Sequence, residues 1–180
     1  MTTDLRDHLK AEFRWTDPDD GSGYLVSDRS GWWRSAQILA GIGDALADLF
    51  RADRPTVVVS PEVTGFLVGP LVARALGTGF VEAYRAGARR PIAEPMTWAD
   101  VPADHRGDPQ RLGVRTRLIT AGDRVLVVDD WAATGAQARA LYDLVRTLGA
   151  TPVGSAVIVT ECPGEPSIRG LISGPDLSPG

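Results

Sequence analysis

The stretch Val125-Leu-Val-Val-Asp-Asp-Trp-Ala-Ala-Thr-Gly-Ala-Gln137 decides the fold. Its first four residues are apolar and mostly β-branched, as in a strand covered on both faces of a parallel sheet. Asp129 and Asp130 follow at the strand's carboxyl end, where open α/β sheets place their ligands. Small residues, Ala132-Ala-Thr-Gly-Ala136, then lead into a helix expected over residues 134–148. The first N–H groups of a helix lack acceptors, and its dipole favours an anion by roughly 0.3–1 kcal/mol per charge at exposed sites. Small side chains let an anion approach that backbone closely, and the Thr134 hydroxyl adds a donor. A phosphate seated there beside two carboxylates describes a sugar-phosphate site, because carboxylates accept from ribose hydroxyls. Two aspartates in this setting also serve simply to end a strand and cap a helix.

Working outward, Thr56-Val-Val-Val59 is a second continuous β-branched run. A polar turn, Ser60-Pro-Glu-Val-Thr-Gly65, leads from it into a helix over residues 66–76, which Gly77-Thr-Gly79 stops. Residues 80–84, 114–119, 125–128 and 153–159 read as further strands, and residues 32–50 carry helical spacing through Ile38, Leu39, Ile42, Leu46, Leu49 and Phe50. Residues 1–28 are irregular, with a short hairpin or two extended segments around the turn-forming run at 16–23. Residues 85–108 form a long polar stretch, the length of a functional loop. Strands alternating with helices predict an α/β fold with a mostly parallel central sheet flanked by helices. One domain is expected over residues 1–172, with a disordered tail at 173–180.

Composition narrows the function. The 180 residues are 43% hydrophobic and 23% charged, ordinary for a globular chain. A net charge of −4 and the lack of a basic helix argue against a direct nucleic-acid role. Cys162 is the only cysteine, and His8 and His105 are isolated, so no zinc pattern forms. No apolar run is long enough to span a membrane and the N-terminus is polar, so a cytoplasmic location without membrane association is expected. Lys10 is the only lysine, which leaves arginine as the cation for any phosphate. Receiver domains also open on a hydrophobic strand with two aspartates, but more than half a domain follows there; here one helix, one strand and a tail follow. Neither Gly-Lys-Ser/Thr nor G-x-G-x-x-G stands after a strand, which excludes the Walker loop and the dinucleotide fold.

Residues 125–137 resemble the phosphoribosyl-pyrophosphate motif of type I phosphoribosyltransferases: a hydrophobic strand, two acids, two or three variable residues, then Thr-Gly and a small loop. Val57-Val-Val-Ser-Pro-Glu-Val-Thr-Gly-Phe66 resembles the strand and pyrophosphate loop of the adenine-specific group, and residues 69–81 and 122–130 continue the likeness. The resemblance covers roughly residues 56–87 and 113–161 and implies the type I phosphoribosyltransferase fold, with an N-terminal hood at about residues 1–31 and a mobile lid at about 88–112.

It implies that Asp129 and Asp130 hold the ribose hydroxyls and, through water, support magnesium on the pyrophosphate, with no direct protein ligand to the metal. Ala133, Thr134, Gly135, Ala136 and Gln137 are implied to wrap the 5′-phosphate. Gln137 stands where the family usually has threonine or serine, and Ala136 where glycine is frequent. Glu62, Val63, Thr64 and Gly65 are implied to meet the pyrophosphate, with a non-proline cis peptide expected at Val63–Thr64. Thr64 replaces the family's usual arginine or lysine, so Arg85, Arg89 and Arg90 are candidates to supply that charge; a solvated arginine cluster is the alternative. Glu94, Asp100 and Asp104 are candidate acids of the lid, and Arg106 and Arg111 its candidate cations. Trp131 is a candidate wall of the base pocket or a core residue, with Tyr24, Leu25 and Val26 as the opposite wall. Trp32 and Trp33 suit either the hood or a dimer contact.

The function implied is transfer of phosphoribosyl from phosphoribosyl pyrophosphate to a nitrogenous base, a purine and adenine first, with release of pyrophosphate. Homo-oligomers are usual in the family. The departures at Thr64 and Gln137 leave open a non-catalytic module that binds phosphoribosyl pyrophosphate or a nucleotide for regulation. Transfer to an unusual acceptor is a third possibility.

Overall fold

The computed structural model describes residues 2–87, 92–102 and 110–178. Strands β3 (Val57–Pro61), β4 (Gly79–Arg85), β7 (Arg124–Ala132), β8 (Thr151–Thr160) and β9 (Ile168–Ser173) run parallel in the order β4-β3-β7-β8-β9. The antiparallel strands β6 (Gln110–Arg115) and β5 (Met96–Val101) extend the sheet beyond β4 to seven strands. Every residue of β3 is buried, as its β-branched run requires of a central strand. Helices α3 (Ala36–Asp48) and α4 (Gly65–Leu76) cover one face of the sheet and α5 (Ala136–Thr147) the other. The expected α/β architecture is therefore the observed one.

Among the local expectations that fail, four have a plain physical reason. Thr2–Glu12 is a helix, α1, where an irregular segment was expected. Its buried Leu9, with Phe13 one turn later, is too sparse an apolar stripe to stand out among charged residues. The helix read over 32–50 is two, α2 (Ser30–Arg34) and α3. Ser35 leaves helical geometry between them, and its side chain accepts from the Ile38 N–H at 3.3 Å, capping α3. The polar stretch at 85–108 is not a plain loop: β5 pairs with β6 from Met96↔Arg115 to Val101↔Gln110. Tryptophan, aspartate and arginine on the open face of that ribbon hide the alternation that buries Val101, Leu112 and Val114. Its segments 88–91 and 103–109 lie outside the described residues.

The fourth is the tail. Gly174–Leu177 forms a 3₁₀ turn with a reciprocal Ser173–Asp176 cap, and Leu177 is buried. The Trp15 indole N–H donates to the Leu177 carbonyl at 2.6 Å, and Lys10 pairs with Asp176 at 3.3 Å. Hydrogen bonds from the Ser173 N–H and hydroxyl, then Lys10, pull the Asp176 carboxyl from 3.8 down to about 2. A depressed acid stabilises the fold above its ordinary value and loses that contribution as pH falls through the folded value. The melting-temperature difference between wild type and Asp176→Asn is therefore expected to be constant at neutral pH and to shrink between 3.8 and about 2. A difference that persists at the acid end would contradict this.

The hood consists of α1, α2 and a two-stranded ribbon, β1 (Arg14–Thr16) with β2 (Val26–Asp28). Trp32 is fully buried and its indole N–H donates to the Leu9 carbonyl at 2.8 Å, while Trp33 packs edge-on against it at 6.1 Å. Trp32 is thus part of the core that α3 and the sheet share, and the partly buried Trp33 packs against it.

Candidate active site

Strand β7 delivers Asp129 to the rim of a cleft of about 310 Å³, bounded by the turn from β7 into α5, by Arg85 at the end of β4, and by Val101, Pro102 and Gln110 of the β5–β6 ribbon. Strand alternation separates the two adjacent acids. Asp129 lines the cleft with Val127, whereas Asp130 points to the hood side with Leu126 and Val128 and pairs with Arg29 at 2.5 Å. Of the two carboxylates expected at the ribose, Asp129 is the one that lines the cleft. Burial raises the Asp129 carboxyl well above its ordinary value, and the neighbouring Asp130 charge raises it further. The Asp130 N–H, which donates to Asp129 Oδ1 at 2.9 Å, and the Arg85 charge oppose that rise.

The phosphate loop is built as its composition requires. Gly135 has φ of 71°, a left-handed value suited to glycine, and a Cβ there would stand 2.8 Å from Ile168 Cδ1. Carbonyls of the loop are engaged from outside: Ala132 by the Glu161 N–H at 2.9 Å, Thr134 by Arg139 at 2.8 Å, and Ala133 by the Cys162 thiol at 3.4 Å. The Ala136 N–H reaches the Thr134 hydroxyl at 3.3 Å. The remaining first-turn N–H groups of α5 have no intrahelical acceptor and meet the cleft that Thr134, Gly135, Ala136 and Gln137 line. Cys162 and Glu161 were not legible as loop supports, since they come from the connection after β8.

Arg85 ties the cleft together. Its Nε donates to the Glu62 carbonyl at 2.9 Å, Nη2 donates to Gln137 Oε1 at 3.2 Å, and Nη1 donates to Gln110 Oε1. One guanidinium thus bridges the turn after β3, the ribbon and the phosphate loop. Glu62 is buried and its carboxylate accepts from the Arg85 N–H at 3.1 Å, so it braces this turn. The cis peptide lies at Glu62–Val63, one residue before the expected place. Val63 is exposed, Thr64 stands half-buried at the N-terminus of α4, and Gly65 is buried where a Cβ would meet Ser60 and Pro61 at about 3 Å. None of Glu62, Val63, Thr64 and Gly65 is among the residues lining the cleft itself.

Trp131 stands between the cleft and the hood. It lines the cleft, and its ring lies 5.9 Å from Phe13 and 6.2 Å from Trp15 in the hood. Tyr24, Leu25 and Val26 are 77%, 47% and 46% exposed and do not line the cleft, which corrects their placement as its opposite wall. Val26 pairs with Thr16 on the ribbon, and it is the neighbouring pair Trp15↔Ser27 whose tryptophan turns to Trp131.

The candidate acid Glu94 is corrected as well. Met96↔Arg115 marks the ribbon end away from the cleft, and Glu94 lies beyond it, paired with Arg117 at 2.6 Å. That hydrogen bond holds its carboxyl below the ordinary range. Asp100 pairs with Arg111 at 3.0 Å on the ribbon's exposed face, and Arg111 also lies 5.7 Å over Trp98. Neither lines the cleft. Arg89, Arg90, Asp104 and Arg106 lie outside the described residues. Gln110 and Arg29 were missed by sequence reasoning, because only the folded chain brings them to Arg85 and Asp130.

Comparison with known proteins agrees with this geometry. The phosphoribosyl transferase domain family matches residues 34–171. The adenine phosphoribosyltransferase of Pectobacterium carotovorum subsp. carotovorum (strain PC1) is 35% identical over 151 residues, covering 83% of this chain and 79% of its own length. That of Serratia proteamaculans (strain 568) is 35% identical over 137 residues, covering 76% and 67%. Among solved structures, adenine phosphoribosyltransferase from Leishmania tarentolae superposes with a TM-score of 0.80 at 26% identity, covering 97% of this chain and 89% of its own. The Trypanosoma brucei enzyme, solved with AMP, pyrophosphate and ribose-5-phosphate, superposes at 0.82 with 22% identity, covering 97% and 81%.

Proposed function

The chain belongs to the phosphoribosyl transferase domain family, and from that premise we propose that it joins adenine to the phosphoribosyl group of phosphoribosyl pyrophosphate, releasing pyrophosphate. Transfer of phosphoribosyl to a purine is the activity its relatives carry; adenine as the acceptor follows the names of those relatives. The observation that carries the reading is the cleft itself, where one carboxylate, one guanidinium and a pinned phosphate loop converge.

In this reading the α5 N-terminus binds the 5′-phosphate and Asp129 accepts from the ribose hydroxyls. A base nitrogen attacks C1 as the bond from C1 to the pyrophosphate oxygen breaks, and the base loses its N–H proton. Arg85 meets the negative charge on the leaving pyrophosphate. Trp131 offers an aromatic face to the base, and Val101, Pro102 and Gln110 shield the reacting centre from water. Most of the rate comes from holding the two reactants in line.

Magnesium fits this donor set as the companion of the pyrophosphate. Asp129 offers one carboxylate to the cleft, and no group of three His, Cys, Asp or Glu side chains among the described residues could cage a metal. Phosphate oxygens and water would complete a magnesium shell, with Asp129 supporting it. Bound there, magnesium would neutralise charge on the pyrophosphate. The reading further places the protein in the cytoplasm as a homo-oligomer.

Incubation with magnesium, phosphoribosyl pyrophosphate and single bases is expected to yield AMP and pyrophosphate in equal amounts, with adenine the best acceptor. Pyrophosphate release with another base and none with adenine would overturn the acceptor. Tight binding with no release for any base would overturn transfer.

A further inference from the structure

The loop between β7 and α5 has consecutive carbonyls held from outside the cleft. The Glu161 N–H takes Ala132 at 2.9 Å, the Cys162 thiol takes Ala133 at 3.4 Å, and the Arg139 guanidinium takes Thr134 at 2.8 Å. A planar trans peptide points its N–H opposite to its carbonyl. Each carbonyl held outside therefore aims the next N–H the other way. Those N–H groups belong to Ala133, Thr134 and Gly135, and all of these residues line the cleft. Successive N–H groups turned to one side make a concavity for an anion.

Two of the holders come from the connection between β8 and β9, whereas Arg139 is a side chain of α5 folded back along its own helix. Its Nη2 donates to the Thr134 carbonyl, and its Nη1 pairs with Glu165 of that connection at 2.6 Å. The guanidinium lies behind Gly135, where a Cβ would stand 2.9 Å from Nη1. Arg139 is not among the residues lining the cleft. The Arg139 and Glu165 side chains are 47% and 36% exposed, so their pairing adds little stability by itself. What the arginine contributes is direction, through its bond to one loop carbonyl.

We propose that Arg139 is a positioning residue for the 5′-phosphate, acting through the Thr134–Gly135 peptide, with Glu165 bracing the guanidinium. The proposal rests on the phosphoribosyl-transfer reading and adds a residue to it. Without the guanidinium, that peptide is free to rotate and to turn its carbonyl toward the anion, replacing an attractive dipole by a repulsive one. The pyrophosphate keeps Arg85, and the base keeps Trp131.

The reverse reaction separates the two anion sites, because AMP carries the 5′-phosphate and pyrophosphate is a separate substrate. Arg139→Ala in the full chain is expected to raise KM for AMP about tenfold while KM for pyrophosphate stays within about threefold; a tenfold change corresponds to about 1.4 kcal/mol. In the forward direction KM for phosphoribosyl pyrophosphate should rise with that for AMP, and KM for adenine should not. Alanine suits a helix interior, and Arg139→Gln replaces that variant should it not fold. Arg139→Lys should recover part of the loss, as an ammonium reaches one of the two acceptors without the fork. A general loosening of the fold would raise both reverse KM values together, and that result would overturn the proposal, as would no rise in either. If the wild type binds phosphoribosyl pyrophosphate but releases no pyrophosphate with any base, the transfer reading falls alone. The role of Arg139 is then decided by calorimetry with AMP: tenfold weaker binding in Arg139→Ala upholds it, and unchanged affinity overturns it.

Discussion

Replacing Asp129 by asparagine is expected to abolish most activity while raising the melting temperature at neutral pH. In the proposed reading Asp129 accepts two charge-assisted hydrogen bonds from ribose hydroxyls, and the variant weakens both. At about 1.5–3 kcal/mol each, their loss lowers kcat/KM by roughly two to four orders of magnitude. The stability gain follows from linkage. Burial, reinforced by Asp130, raises the folded-state carboxyl well above its ordinary 3.8. The folded protein then binds more protons than the unfolded chain in that interval, so stability falls as pH rises through it and stays reduced above it. Asparagine carries no charge to bury and still accepts from the Asp130 N–H. The variant should therefore outlast wild type above the interval and converge with it below 3.8, where both side chains are neutral. Melting curves across pH check this; a variant less stable than wild type at neutral pH would sink it.

Arg85→Met is the second large effect. Methionine keeps the length of the apolar stem and removes the guanidinium that bridges Glu62, Gln110 and Gln137. Losing one preorganised donor to developing charge costs roughly 10²–10³ in kcat. Arg85→Lys should recover little, because an ammonium is a point charge and cannot serve three directions from a planar fork. Single-turnover measurements separate chemistry from binding. A methionine variant with wild-type chemistry and weaker binding of the phosphates would reassign Arg85 to ground-state affinity.

The central strands β3, β7 and β8 were legible because each carries a short apolar, largely β-branched run, and the phosphate loop because small residues follow two acids; β9 was not, because Arg169 and Gly170 interrupt its apolar residues. The motif did not reveal that the acids part company. That depends on Arg29, 101 positions upstream, whose pairing exists only in three dimensions. The β5–β6 ribbon was hidden for a different reason: its buried positions, Val101, Leu112 and Val114, alternate with aspartate, glycine and arginine suited equally to a loop. Gln137 read as a weakened phosphate ligand. Its amide oxygen accepts from Arg85 across the cleft, so a departure from the family's hydroxyl has a partner on this chain. Nothing in the local sequence of Glu94 separates it from a lid acid; Arg117, placed by the far end of the ribbon, does.

The opposite charges that Asp129 and Arg85 bring to the cleft also bear on inhibitor design. A monocationic iminosugar aimed at Asp129, carrying an anionic arm for Arg85, matches the valence this cleft presents.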